Sequence, residues 1–141
     1  MDLQIYTDGS CRANKVGGIG LVWITNNEIV KEYSKRYENV TNNIMELCAI
    51  QVALSSIKKE INSLEIFTDS QYSIGVLTNP SWNPKKNIQL INKIKTLLKN
   101  TQALVKQPIK FTHVRGHQKG NENNVKFNNL ADKLATRESE L

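Results

Sequence analysis

LEIFTDSQ, residues 64–71, runs an apolar, strand-like segment into Thr68-Asp69 and then into a polar, helix-like stretch. QIYTDGS, residues 4–10, has already done the same and ends its apolar run in Thr7-Asp8. In open α/β sheets, function gathers at the carboxyl ends of strands. Two strands that each finish in Thr-Asp therefore suggest that two acidic side chains are delivered to one shared point.

Outward from these two stretches, the pattern is that of an α/β chain. Residues 2–7 read as the first strand, and 17–25 and 28–37 as the next two. Asn26-Asn27 between the latter reads as a hairpin turn, because asparagine tolerates positive φ. Ile44, Leu47, Leu54 and Ile57 recur at helical spacing, which predicts a helix over 43–58. A strand over 64–68 and a helix over 70–78 follow. Two prolines mark 79–87 as a loop. Ile88, Ile91, Ile94 and Leu98 give a helix over 87–100, residues 109–114 alternate like a strand, and 130–138 read as a last helix. The order β-β-β-α-β-α-α-β-α implies a mixed sheet, with an antiparallel start followed by helix crossovers to parallel strands.

With 141 residues, one domain spanning 1–141 is expected, and 39% hydrophobic residues suit a folded chain rather than a disordered one. No apolar run is long enough to span a bilayer. Cys11 and Cys48 are too few for a disulfide framework and fit a reducing compartment. Asp8 comes so early that no room is left for a leader peptide, so a cytoplasmic location is expected, or the nucleus in a eukaryote. The net charge is +6, and the segment from Ser70 to Asn121 contains no Asp or Glu, although it carries Lys85, Lys86, Lys93, Lys95, Lys99, Lys106, Lys110, Arg115 and Lys119. A domain with one such positive side favours a polyanionic partner, and a plain solvated lysine face is the alternative.

Four carboxylates stand out, each with an ordinary alternative. Asp8 precedes Gly9, as in a hairpin turn. Asp69, like Ser70, suits a helix N-cap. Asn43 and Glu46 have the spacing of a capping box. Asp132 beside Lys133 could be a surface residue of its helix. Taken jointly, they form a pattern that capping does not require. Clustered carboxylates repel unless cations fill the gap. Hard oxygen ligands of this kind suit Mg²⁺ or Mn²⁺, and two ions about 3.5–4 Å apart can clamp a phosphodiester.

The blocks YTDGSCRAN (6–14), GGIGLVW (17–23), TNNIMELCAI (41–50), IFTDSQY (66–72), FTHVRGHQKG (111–120) and NNLADKLA (128–135) together resemble type 1 ribonuclease H, in the family's order and with near-family spacing. The resemblance implies a ribonuclease H-like mixed five-stranded sheet, antiparallel in strands 1–3 and parallel in strands 4–5, flanked by helices. It implies an endonuclease, monomeric, that hydrolyses the RNA strand of RNA–DNA hybrids and leaves 3′-hydroxyl and 5′-phosphate ends. Two Mg²⁺ ions, with Mn²⁺ able to substitute, would be held by Asp8, Glu46, Asp69 and Asp132. His117 matches the family's loop histidine, which aids proton transfer or product departure, while His113 reads as structural. Asn14, Asn42, Asn43 and Gln71 match positions that read the minor groove through side-chain amides, and Thr41 with Asn87 resembles a pair that grips a DNA phosphate. Trp82 falls where the family places aromatic contacts to the DNA backbone, and covering the edge of the core is its alternative role. Lys85 and Lys86 beside it would touch phosphates.

Some family members carry a basic helical protrusion, for which PSWNPKKN (80–87) is too short. The segment from His117 to Asp132 is longer than usual for the family, and its Asn and Gly content predicts a mobile loop. Two alternatives stay open on sequence alone: a ribonuclease H domain of a reverse transcriptase or retroelement polyprotein, and a non-catalytic nucleic-acid-binding module of the same fold.

Overall fold

The computed structural model describes residues 1–116, 119–120 and 122–140. Its elements are β1 (Asp2–Cys11), β2 (Gly17–Thr25), β3 (Glu28–Tyr37), α1 (Asn42–Ser55), β4 (Ser63–Thr68), α2 (Gln71–Thr78), α3 (Ile88–Gln102), β5 (Lys110–His113) and α4 (Asn123–Glu140). They form one five-stranded sheet in the order β3-β2-β1-β4-β5. The β1–β2 and β2–β3 pairs are antiparallel, and β1–β4 and β4–β5 are parallel. The mixed sheet expected from the sequence is therefore present, and Asn26 and Asn27 both take positive φ (53° and 62°) at the β2–β3 turn.

Both faces of the sheet are covered. Ile5, Ile19, Leu21 and Ile66 pack with Leu47, Ile50 and Leu54 of α1, Val76 of α2, and Ile91 and Ile94 of α3. On the other face Tyr6, Val22, Ile24 and Phe67 pack with Phe127, Ala131 and Leu134 of α4. Burial on both faces explains why β2 reads as a continuous apolar run rather than as a simple alternation.

Three expectations are corrected. First, β1 does not stop at Thr7 but continues to Cys11, with Asp8 opposite Gly20 and Cys11 opposite Gly17. Polar side chains do not end a strand whose backbone still pairs with a neighbour. Second, the cap of α1 is Thr41, whose hydroxyl accepts from Ile44 N–H at 3.2 Å, so Asn43 is not the N-cap and no Asn43–Glu46 capping box forms. Third, the final helix starts at Asn123 rather than near 130, so most of the segment expected as a loop between His117 and Asp132 is helical. Phe127, Ala131, Leu134 and Ala135 form its buried stripe. Burial of that stripe outweighs the poor helix propensity of Asn123, Asn124, Asn128 and Asn129.

Candidate active site

The two Thr-Asp pairs are placed by strand register. The parallel β1–β4 ladder ends with Tyr6 opposite Phe67. Carried one and two steps past the ladder, the same register points Thr7 toward Thr68 and Asp8 toward Asp69, whose carboxylates do lie close together. The threonines are fully buried and hold the backbone. Thr7 Oγ1 donates to the Phe67 carbonyl at 2.9 Å, stitching the strands together where the ladder ends. Thr68 Oγ1 accepts from Ser70 N–H at 3.1 Å, and Ser70 Oγ caps α2 by accepting from Ser73 N–H at 3.0 Å. Ser70 is thus the cap of α2, and the Asp69 side chain is not used for capping.

Glu46 and Asp132 arrive from opposite faces of the sheet, each beside a glycine that lets its helix touch a strand. A methyl group on Gly9 would overlap the Glu46 amide nitrogen and the Met45 carbonyl carbon. Only glycine lets the first turn of α1 rest directly on β1. There Glu46 Oε1 accepts from Gly9 N–H at 2.6 Å. On the other face, a methyl group on Gly20 would overlap the Ala131 carbonyl. Gly20 is the register partner of Asp8, so α4 seats Asp132 where it hydrogen-bonds the Asp8 carboxyl.

All four carboxylates line one cavity of about 280 Å³, together with Gly9, Ser10, Cys11, Asn42 and Thr136. Asp8, Glu46 and Asp69 can each point one oxygen so that the three lie within 4.8 Å of one another. Asp8 is only 3% exposed and Glu46 6%. Burial, followed by the Asp132 hydrogen bond and the charges of Asp69 and Asp132, pushes the Asp8 carboxyl up to about 9. Burial and then the hydrogen bond to Asp69 push Glu46 upward as well, opposed by the Gly9 N–H. Asp69 Oδ1 is buried without a hydrogen-bond partner among the described residues. A buried acceptor with no donor, in an all-oxygen acidic cluster, fits a hard divalent cation.

The RNase H family model matches residues 1–140. The chain belongs to the ribonuclease H family, a family of hydrolases. It is 38% identical to "Ribonuclease H" of Clostridium botulinum over 149 residues, covering 93% of this chain and 91% of that protein. It is 32% identical to "Ribonuclease HI" of Haemophilus influenzae, covering 98% and 90% of the two. Among solved structures, RNase H1 of the archaeon Halobacterium salinarum superposes with a TM-score of 0.76 over 99% of this chain and 98% of that one, at 22% identity, which speaks for the fold.

The other residues singled out in this ribonuclease H chain fall partly at the cavity and partly elsewhere in the fold. Asn42 lines it. Asn43 and Gln71 are exposed in the first turns of α1 and α2. Asn14 is exposed between β1 and β2, and its Oδ1 accepts from Val16 N–H at 3.1 Å. Thr41 is spent partly on capping. Trp82, Lys85, Lys86 and Asn87 form a separate group beyond α2, with both lysines exposed. His113 Nε2 lies 3.2 Å from the Asp69 carbonyl, to which it can donate, in keeping with a structural role. His117 falls outside the described residues. The sequence reading missed the glycines at 9 and 20 and the cavity residues Ser10, Cys11 and Thr136. The run GGIG at 17–20, too small to pack a core unaided, was the available signal for close helix approach.

Proposed function

We propose that this ribonuclease H is an endonuclease that hydrolyses the RNA strand of RNA–DNA hybrids, leaving 3′-hydroxyl and 5′-phosphate ends. The observation that carries the reading is the convergence of Asp8, Glu46, Asp69 and Asp132 on one cavity, with a buried Asp69 oxygen that has no hydrogen-bond partner among the described residues. These four side chains would hold two divalent ions, Mg²⁺ by preference with Mn²⁺ as substitute, which when bound stabilise the charge that develops around a phosphodiester during displacement.

The protein's own groups prepare that site. Gly9 N–H fixes one Glu46 oxygen and so limits where the other can point. Asp8 and Glu46 must give up protons to act as ligands, so occupancy is coupled to pH. Asn42, Asn43, Gln71 and Asn14 offer uncharged donors and acceptors suited to 2′-hydroxyls and minor-groove base edges, which gives recognition of RNA without base preference. Thr41 and Asn87 would grip a phosphate of the DNA strand, Trp82 would meet its sugar backbone, and Lys85 and Lys86 add sequence-independent attraction. His117 would carry a proton to the leaving oxygen.

The deciding experiment compares RNA–DNA hybrid, double-stranded RNA and double-stranded DNA as substrates, with Mg²⁺ and with chelator. Cleavage confined to the RNA of the hybrid and dependent on the metal supports the proposal. Hybrid binding without cleavage in any divalent metal overturns it in favour of a binding module.

A further inference from the structure

Trp82 is only 43% exposed, because part of its ring lies against Gly75 of α2. A methyl group at position 75 would collide with ring atoms Cε3 and Cζ3. Glycine is one of the worst residues for a helix interior, so its presence in the second turn of a helix of 8 residues needs a reason, and the ring supplies it. Tyr72, one turn earlier, meets the same indole edge-on, with ring centroids 6.3 Å apart. Its hydroxyl also accepts from Asn87 Nδ2 at 3.3 Å. Asn87 has φ +59°, a left-handed conformation that needs local support. The loop between them is tied back to α2 as well: Asn79 N–H donates to the Gly75 carbonyl at 2.9 Å and Trp82 N–H to the Asn79 carbonyl at 3.0 Å.

We propose that Gly75 and Tyr72 are positioning residues that hold Trp82 and Asn87 as one preassembled surface for the DNA strand, at a fixed distance from Asp69. This rests on the hybrid-cleavage reading above. Helix α2 acts as the ruler. Its cap, Ser70, is the residue after Asp69, and Gly75 lies about 7–8 Å further along the helix axis. A short rigid helix thus connects a carboxylate of the cavity to the loop that carries Lys85 and Lys86. The surface is set before substrate arrives, so less ordering entropy is lost on binding.

The test is Gly75→Ala, read in three ways. Trp23 is 4% exposed, so acrylamide quenching of tryptophan fluorescence reports mainly on Trp82. The substitution should increase quenching, leave Tm at or above that of the wild type, and raise KM for the hybrid about tenfold while kcat stays within about twofold. The double variant Gly75→Ala/Trp82→Leu should lose no more than Trp82→Leu alone, because both remove the same surface. If Gly75→Ala does not fold, Tyr72→Phe, which deletes only the hydroxyl that holds Asn87, should raise KM about threefold. Wild-type protein that cuts no hybrid overturns the functional reading and this inference with it. Wild-type protein that cuts hybrid, beside a Gly75→Ala or Tyr72→Phe variant with unchanged KM, overturns this inference alone.

Discussion

Asp8 lies on a strand and Asp69 just past the end of one, whereas Glu46 and Asp132 ride on helices packed on opposite faces of the sheet. The strand pair is placed by main-chain register, which hydrogen bonds and the Thr7 and Thr68 hydroxyls fix locally. The helix pair is placed by how closely two helices approach the sheet, which Gly9 and Gly20 set by direct contact with the helix backbones. The same carboxylate chemistry thus has two different origins. One depends on hydrogen-bond geometry. The other depends on the absence of single methyl groups.

The comparison can be broken or sharpened by mutation. The largest effect is expected from Asp69→Asn or Asp8→Asn, which remove one carboxylate of the proposed metal site and leave the register untouched. Hybrid cleavage should fall about 10³-fold or more while circular dichroism stays unchanged. Equal activity in either variant would remove that aspartate from the proposed site. Next comes Gly20→Ala, in which the new methyl meets helix backbone that cannot easily give way. Stability should drop by about 1–3 kcal/mol in urea titrations. Activity should fall about 100-fold through displacement of Asp132, even though no acidic residue has changed. Gly9→Ala should act in the same way through Glu46, and normal activity in both glycine variants would show that helix approach does not set the site.

A smaller effect is expected in the pH dependence of stability without metal. The folded-state values of Asp8 and Glu46 lie above their ordinary ones. The folded chain therefore holds protons that the unfolded chain releases. That stability is complete below about pH 4 and is lost as pH rises, for Asp8 up to about 9. Tm in chelator should fall across this window, Mg²⁺ should restore it at neutral pH, and Asp8→Asn should flatten the slope. A Tm that rises with pH over this range in chelator would contradict the buried cluster. The smallest effect belongs to the loop beyond α2. Lys85→Ala or Lys86→Ala should each lower the salt dependence of hybrid binding, the slope of log K against log salt, by about 1 and leave kcat in place.

The residues that were legible in advance were those whose signal is local. Asp8 and Asp69 each end an apolar run, and the Asn26-Asn27 turn follows from the φ values asparagine accepts. Glu46 and Asp132 look by themselves like a capping residue and a surface residue, and they gained weight only from the joint pattern of four carboxylates and from the resemblance. The early start of α4 at Asn123 was hidden by asparagines, whose weak helix propensity is overridden once Phe127 and Ala131 are buried under β1, β2 and β4. Thr41 displaced Asn43 as the cap because backbone geometry at the entry to α1, rather than side-chain preference, decides which residue takes that place.

By itself, the sequence determined the order of strands and helices, the two Thr-Asp pairs and the long stretch free of acidic residues, since periodicity and charge are properties of neighbours along the chain. Only the tertiary structure decided that residues 8, 46, 69 and 132 share one cavity, and that Trp82 rests on Gly75. Distances between remote residues are set by helix-to-sheet packing, and a glycine shows how close that packing is only when the atoms opposite it are known.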